Sequence, residues 1–154
     1  MRVLAVASEC YPLAKTGGLA DVVGALPPAL EALGHEVLTC VPGYPSVFAA
    51  LGPAEEIDAY GELYGGPARV LRGRAAGLDV AVVDAPHLFD RPGQPYTGAD
   101  GHEWDDNGFR FAALAVVARE LALGRVPAVT VDVVHAHDWQ AGLVPAYLAL
   151  DPRA

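Results

Sequence analysis

The stretch that decides the fold is RVLAVASECYPLAKTGGLADVVGALPPALEALGHEVLTCVP, residues 2–42. It opens with a continuous apolar run, RVLAVAS (2–8), which is typical of a strand buried on both faces of a parallel sheet. The apolar spacing of residues 19–34 predicts a helix, and the apolar run HEVLTCVP (35–42) predicts a second strand. Strand, helix and strand within about forty residues form a βαβ unit.

The rest of the chain continues this alternation. Two β-rich runs at 68–86 flank a turn and predict a hairpin, whereas residues 87–106 are rich in Gly, Pro and Asp and predict a long loop. Residues 107–124 have the clearest helical pattern, and residues 131–150 repeat the opening plan of strand, polar junction and helix. We therefore predict an α/β fold with a Rossmann-like, open, mainly parallel sheet and helices on both of its faces.

Composition limits the classes of function. The chain has 154 residues, 53% of them hydrophobic, and a net charge of −9, which argues against nucleic-acid binding and against attachment to an anionic membrane. Cys10 and Cys40 have no metal-type or redox-type spacing and predict two reduced thiols. Neither a signal-peptide pattern nor a membrane-length apolar run is present, so a cytoplasmic protein is predicted.

Two polar junctions follow apolar strands, and in open α/β sheets ligands bind beyond the carboxyl ends of the strands. SECYPLAKTGGLAD (8–21) follows the first strand, and HAHDWQ (135–140) follows the last one. If those two strands are near neighbours in the sheet, Lys15 and His137 face one crevice.

The glycine pair in the first junction fits a phosphate site. Gly17 and Gly18 allow backbone amides to approach a ligand closely, the helix that follows adds partial positive charge, and Lys15 supplies a counter-charge. The pattern is neither a GxGxxG fingerprint nor a GxxxxGK[ST] loop. An ordinary strand-to-helix loop with an exposed lysine therefore remains the alternative.

The second junction has several interpretations. His135 and His137 would point to one face of a continuing strand, as in a metal site, but few further ligands are at hand, so we predict no metal. Asp138 suits the N-cap of a following helix, and Trp139 suits packing as well as sugar contact. Near the first strand, Glu9 is placed either as a general base or as an acceptor of backbone hydrogen bonds.

Four segments together carry a family resemblance. KTGGLADVVGALP (15–27), DAPHLFDRPGQPY (84–96), DDNGFRF (105–111) and DVVHAHDWQAGLVPAYL (132–148) closely resemble bacterial glycogen synthase and plant starch synthase, the retaining ADP-glucose glucosyltransferases. The resemblance runs along the whole chain in motif order. It implies the N-terminal, acceptor-side domain of the two-domain GT-B architecture, over residues 1–154 and incomplete, without the C-terminal nucleotide-sugar domain.

The resemblance also implies the ligands and their binding residues. ADP-glucose would donate glucose to the non-reducing 4-OH of an α-1,4-glucan with retention, and no cofactor is needed. Lys15, Gly17, Gly18 and Asp21 would lie at the diphosphate, and His137 would be the catalytic contact to the transferred glucose. Tyr96 would line the cleft near the sugar nucleotide. Three further residues would shape the site: Asp138, Trp139 and Gln140.

The family's basic pair and its key glutamate belong to the second domain, which is absent from this chain. We therefore expect residues 1–154 alone to have no meaningful synthase turnover, since half of a cleft exposes the anionic product to water. A UDP-glucose-dependent transferase and a non-catalytic carbohydrate- or nucleotide-binding domain remain the alternatives.

Overall fold

The computed structural model describes residues 1–154 and contains one six-stranded sheet with the strand order β3-β4-β5-β2-β1-β6. Strand β1 pairs in parallel with β2 and β6, and β2 pairs in parallel with β5. β4 pairs in antiparallel fashion with both β3 and β5. The strands are β1 (Arg2–Val6), β2 (Glu36–Pro42), β3 (Leu51–Tyr60), β4 (Ala68–Ala75), β5 (Leu78–Asp84) and β6 (Val133–Ala136).

Five α-helices connect and cover these strands. A 3-10 turn at Trp139–Ala141 precedes the last helix. No helix is both long and apolar enough to cross a membrane. The helices are α1 (Gly18–Glu31), α2 (Pro45–Ala50), α3 (Pro86–Phe89), α4 (Asn107–Ala122) and α5 (Leu143–Leu150).

The central strands are buried on both faces, as the sequence predicts for a parallel sheet. Alternate residues of β1 point to opposite faces: Val3 and Ala5 pack with Leu30 of α1, whereas Leu4 belongs to the large core cluster with Leu114 of α4. Helices therefore cover both faces of the sheet. The predicted α/β class with a mainly parallel sheet is confirmed.

The hairpin predicted in residues 68–86 is formed by β4 and β5. Its two turn residues, Ala76 and Gly77, have φ values of 50° and 86°. A two-residue turn whose twist matches that of the flanking strands requires positive φ at both of its central residues. The turn therefore fixes the register in which Ala75 pairs with Leu78.

Helix α1 departs from the sequence expectation at Pro27 and Pro28, where the pattern predicts a kink or a broken start. The helix runs without a break from Gly18 to Glu31 with both prolines inside it. Gly24, one turn before Pro28, contacts the preceding loop so closely that a Cβ there would lie 2.3 Å from the carbonyl oxygen of Tyr11. The expectation of a broken start was wrong. The helix is continuous through both prolines, and it packs closely against the preceding loop at Gly24.

Candidate functional site

The carboxyl ends of β1 and β6 form one edge of the site. The two strands are parallel neighbours, with Val6 opposite Ala136. The amide of His137 then donates to the carbonyl of Val6 at 2.9 Å, so the two junctions leave the sheet side by side. The prediction that the first and last strands are near neighbours is confirmed. The loop that carries Lys15 and the HAHDW segment therefore emerge at the same edge.

Glu9 anchors the loop that follows β1. Its side chain accepts hydrogen bonds from the Thr16 hydroxyl at 2.6 Å, the Gly17 amide at 3.2 Å, the Thr16 amide and the Tyr96 hydroxyl. Each carboxylate oxygen thus accepts two bonds, which uses about all four lone-pair positions of the group. Because no acceptor capacity remains, the structure favours the anchoring interpretation of Glu9 over the general-base interpretation.

Glu9 is ionised although it is only 2% exposed. Burial by itself raises the pKa of the carboxyl group, but the hydrogen bonds from Thr16, Tyr96 and Gly17 outweigh burial and hold the pKa below its usual value. The buried negative charge lies directly under the glycine pair. A charged acceptor makes these hydrogen bonds stronger than neutral ones, so the loop is held in one conformation.

Lys15 and Asp21 lie together at the outer side of this loop. The Nζ atom of Lys15 is 2.5 Å from a carboxylate oxygen of Asp21, and both side chains are largely exposed. The same Nζ lies 5.5 Å from the centre of the Tyr11 ring. The lysine therefore already has a counter-charge, and an incoming anion would have to share it with Asp21 or displace that carboxylate.

The glycine pair offers a different set of amides from the one expected. The Gly17 amide is bonded to Glu9 and faces the protein. The amides of Gly18, Leu19 and Ala20, in the first turn of α1, make no hydrogen bond, and no side chain caps this helix. Ala20 is fully buried, so the amides of Gly18 and Leu19 are the donors that an anion could use. A Cβ at Gly17 or Gly18 would meet no atom within 4 Å, so the space beside the loop is open.

Tyr96 connects the long loop to the same edge. Its hydroxyl bonds to Glu9 and lies 2.7 Å from the Ser8 hydroxyl oxygen. Its ring packs edge-on against Phe111, with ring centres 5.8 Å apart, and lies 6.4 Å from the ring of Trp139. Burial and the hydrogen bond to Glu9 raise the pKa of Tyr96, so its hydroxyl stays protonated. Tyr96 thus lies beside both junctions.

His137 is a buried, neutral histidine. It is 7% exposed, its ring stacks on His135 with ring centres 4.0 Å apart, and its Nε2 has no hydrogen-bond partner. Burial, with a smaller contribution from His135, lowers the pKa of His137 to about 4. No group of three or more His, Cys, Asp or Glu residues is arranged to hold a metal ion. The free Nε2 leaves one hydrogen-bonding position of the ring for a polar ligand.

The residues after His137 form a strained turn. Asp138 has a φ of 60° and a ψ of −175°, a combination that non-glycine residues rarely adopt, and its carboxylate caps the turn by accepting from the Trp139 amide at 2.7 Å. Trp139 is 58% exposed and packs edge-on against Phe111 at 5.4 Å. Gln140 is buried with an unpartnered Oε1. The turn therefore presents one indole surface to solvent and keeps one amide oxygen without a partner.

Two groups of the predicted residues differ in their connections. Tyr96, Gly17 and the HAHDW segment are linked through Glu9 and the aromatic contacts, whereas Lys15 pairs with Asp21 and no hydrogen bond joins Lys15 to His137. Sequence reasoning offered Glu9 as an acceptor of backbone hydrogen bonds but missed its bonds with the Thr16 and Tyr96 hydroxyls. The available signal was a carboxylate at a strand end directly before a glycine-containing loop.

Almost the whole chain matches one family of known proteins. The model of the starch synthase catalytic domain family matches residues 2–153. The chain belongs to this family. Glycogen synthase 2 of Bradyrhizobium diazoefficiens is 59% identical over 99% of the chain and 32% of the relative. The glycogen synthase of Methylocella silvestris is 60% identical over 98% of the chain and 31% of the relative.

A solved structure of the same family has the same fold. The catalytic domain of starch synthase IV from Arabidopsis thaliana, bound to ADP and acarbose, superposes with a TM-score of 0.70 and 30% identity over 96% of this family member and 30% of the plant chain. The present chain thus spans about a third of the length of the relatives that it matches. The resemblance to bacterial glycogen synthase and plant starch synthase, predicted from the four motifs, is confirmed.

Proposed function

We propose that this chain forms the N-terminal, acceptor-side part of a glycogen synthase, which transfers glucose from ADP-glucose to the non-reducing 4-OH of an α-1,4-glucan with retention. The observation that carries the proposal is the loop of Lys15, Gly17 and Gly18, which is fixed by Glu9 beside the His137 junction. The family, the names of the relatives and the ADP and acarbose in the plant structure agree with it. The site of action is the cytoplasm.

The diphosphate of ADP-glucose is assigned to the open side of the loop. The free amides of Gly18 and Leu19 are available as donors to an anion, and the helix N-terminus adds partial positive charge. Lys15 supplies the side-chain cation. Its exposed pair with Asp21 is worth about 0–1 kcal/mol, so a doubly charged diphosphate can compete for the ammonium group.

The transferred glucose is assigned to the space between this loop and His137. A neutral imidazole can hydrogen-bond a sugar hydroxyl through Nε2 without placing a positive charge beside an oxocarbenium-like transition state. Tyr96 and Trp139 offer aromatic surface for a sugar ring, while Asp138 and Gln140 shape the turn behind it. These roles assign His137 to catalysis and the other four residues to substrate binding.

The proposed transfer takes place on one face of the sugar. The bond from the anomeric carbon to the diphosphate oxygen breaks as the bond to the acceptor 4-oxygen forms, and the acceptor proton passes to the departing phosphate oxygen. Developing negative charge on the diphosphate is then stabilised by Lys15 and the amides of α1. The remaining cations would come from a C-terminal domain of the same protein, which closes the cleft over the donor.

The test uses the complete polypeptide that carries residues 1–154, assayed for glucose transfer from ADP-glucose to glycogen. Removing the cation with Lys15→Ala should lower kcat/KM roughly 10- to 100-fold, the value of a charge-assisted hydrogen bond. Arg74→Ala, an exposed cation on β4, is the control and should leave kcat/KM unchanged. Transfer that is insensitive to Lys15 would contradict the proposal.

Competition between ADP and UDP separates the donor alternatives. An ADP-glucose enzyme is inhibited by ADP at lower concentration than by UDP, and the reverse order would indicate a UDP-glucose enzyme. If the complete polypeptide binds nucleotide and glucan without any transfer, the binding-domain alternative is the better description.

A further inference from the structure

The largest cavity of the molecule lies beside the proposed donor loop and has no assigned ligand. It has a volume of about 610 Å³, within the range of small-molecule sites. Its walls come from the loop before Lys15, the start of α2, the segment after α3 and the first turn of α4. The polar residues that line it are Lys15, Tyr44, Ser46, Arg91, Gln94 and Arg110.

The charges around this cavity do not balance. Three cations line it and no carboxylate does. Two of the cations have partners, since Lys15 pairs with Asp21 at 2.5 Å and Arg91 forms a double contact with Asp106 at 2.5 and 2.7 Å. Arg110 has no carboxylate partner and is 1% exposed. One buried positive charge therefore has no carboxylate in contact, because Asp106, whose charge acts on Arg110 from a distance, is bonded to Arg91.

The protein contacts of Arg110 orient its guanidinium group but do not neutralise it. Nε donates to the carbonyl of Leu88 at 2.7 Å, and Nη1 donates to the carbonyl of Pro95 at 2.9 Å and to the side-chain oxygen of Asn107 at 2.7 Å. All three acceptors are neutral, and Nη2 makes no hydrogen bond within the chain. Burying an unpaired charge is costly, which favours an anion as the missing partner.

Tyr44 provides a second, independent sign of a ligand. The residue is 6% exposed, lines the same cavity and has a buried hydroxyl without a hydrogen-bond partner. Buried polar groups are nearly always satisfied, so an unpaired hydroxyl that lines the same cavity as an unpaired guanidinium marks a place for an acceptor atom.

We propose that this cavity binds a small phosphorylated compound, with its phosphate group held by Arg110 and the Tyr44 hydroxyl. The cavity is larger than a phosphate ion needs, and Ser46 and Gln94 line the space that remains, where a polar body such as a sugar can lie. This binding is in addition to the donor site proposed above and does not depend on the transferase assignment. Since the chain as a whole carries a net charge of −9, the attraction is local to the cavity.

The test is isothermal titration calorimetry of the complete polypeptide with inorganic phosphate and, separately, with glucose 1-phosphate, at constant ionic strength. Both probes should bind saturably, and tighter binding of glucose 1-phosphate would identify the organic ester as the better-fitting source of the phosphate group. Tyr44→Phe removes only the hydroxyl and should weaken binding of the better probe roughly 10- to 100-fold. It should leave the melting temperature in chloride buffer unchanged or higher, because it removes an unsatisfied buried group.

Thr39→Val is the matched control, because Thr39 also has a buried, unpartnered hydroxyl but lies outside the cavity on β2. It should leave the affinity for both probes unchanged. The proposal is overturned if neither probe binds saturably, or if Tyr44→Phe and Thr39→Val bind the probes equally well. It is also overturned if Tyr44→Phe weakens ADP binding as much as phosphate binding, since the cavity would then be part of the donor site. A wild-type polypeptide that binds the two probes saturably but does not bind ADP would instead count against the proposed function.

Discussion

At the scale of single residues, the site depends on two buried groups whose protonation states are fixed by their surroundings. Glu9 is kept ionised because hydrogen bonds from Thr16, Tyr96 and Gly17 outweigh the cost of burial. His137 is kept neutral because burial and the adjacent His135 ring both disfavour the imidazolium form. A negative charge therefore holds the loop, and the ring of His137 stays uncharged with its Nε2 unpartnered.

Glu9→Gln tests the anchoring role. The substitution keeps the shape of the side chain but replaces one oxygen with an NH₂ group, so one pair of donors loses its acceptor. We expect a loss of roughly 1–3 kcal/mol in the free energy of unfolding, measured by urea denaturation at pH 7. Glu31→Gln, on the exposed end of α1, is the control and should change the free energy of unfolding by less than about 0.5 kcal/mol.

The pH dependence of the stability difference between the wild type and Glu9→Gln gives a second test of the anchoring role. Because the folded-state pKa of Glu9 is below the unfolded value, the stabilisation is present above the unfolded pKa and is lost as the pH falls through the folded pKa. The stability difference between wild type and Glu9→Gln should therefore shrink in acid. A difference independent of pH would show that the carboxylate charge is not what holds the loop.

The lowered pKa of His137 gives a prediction for the pH dependence of stability. Its pKa falls from 6.5 to about 4 on folding, so between those values the unfolded chain binds more protons than the folded one. The stability of the wild type should therefore decrease as the pH is lowered from 6.5 to 4, and His137→Gln should lose that part of the decrease. An NMR titration of the His137 ring that gives a pKa near 6.5 would contradict this account.

At the scale of elements, burial decides which parts of the chain were predictable. The βαβ unit and the hairpin are visible in the sequence because their apolar residues follow the period of a buried strand or helix, and α4 is visible because it is a long apolar run, buried on nearly all sides. Strand β3 was missed since it is a mostly exposed edge strand with Pro53, Glu55 and Glu56. Such residues protect an edge from pairing with other chains but remove the apolar alternation that identifies a strand.

The candidate site was only partly predictable for a related reason. Lys15, Tyr96 and His137 stand in recognisable motifs, so their positions could be predicted. The Glu9 cluster joins the loop after β1 to Tyr96 through hydrogen bonds, and Arg110 reaches the carbonyls of Leu88 in α3 and Pro95 in the long loop. No periodic pattern records contacts of that kind.

Leu114 tests the packing of α4 on the sheet. It is 0% exposed and lies in the large core cluster, so Leu114→Ala should lower the free energy of unfolding by about 2–5 kcal/mol. Leu33, which is 75% exposed just after α1, supplies the same substitution without burial, and Leu33→Ala should change stability by less than about 0.5 kcal/mol. Equal effects of the two substitutions in thermal or urea denaturation would contradict the assigned core.

At the scale of the whole molecule, the chain corresponds to about a third of its relatives, and its proposed site is open on one side. The free amides of α1 and the exposed faces of Lys15 and Trp139 contact nothing beyond the loop and the turn themselves. Water weakens charge stabilisation at such a surface. A second domain that covers the site would remove that water.

The purified chain of residues 1–154 should therefore show no measurable glucose transfer to glycogen with ADP-glucose, whereas the complete polypeptide that carries it should be active. Circular dichroism of the purified chain provides the control, because it shows whether an inactive sample is folded. Rapid glucan elongation by residues 1–154 alone would contradict the two-domain account.

The pairing of Lys15 with Asp21 has a practical consequence. Lys15 is the only lysine within residues 1–154, so this part of the chain has a single side-chain amine. An acylating reagent that attacks uncharged amines would label this side chain and the α-amino group of Met1, and the masses of the proteolytic peptides would separate the two positions. Because the ammonium form is needed both for the contact with Asp21 and for an anion, a bound diphosphate should slow that labelling. The labelling rate of Lys15 would thus show whether an anion is bound at the loop.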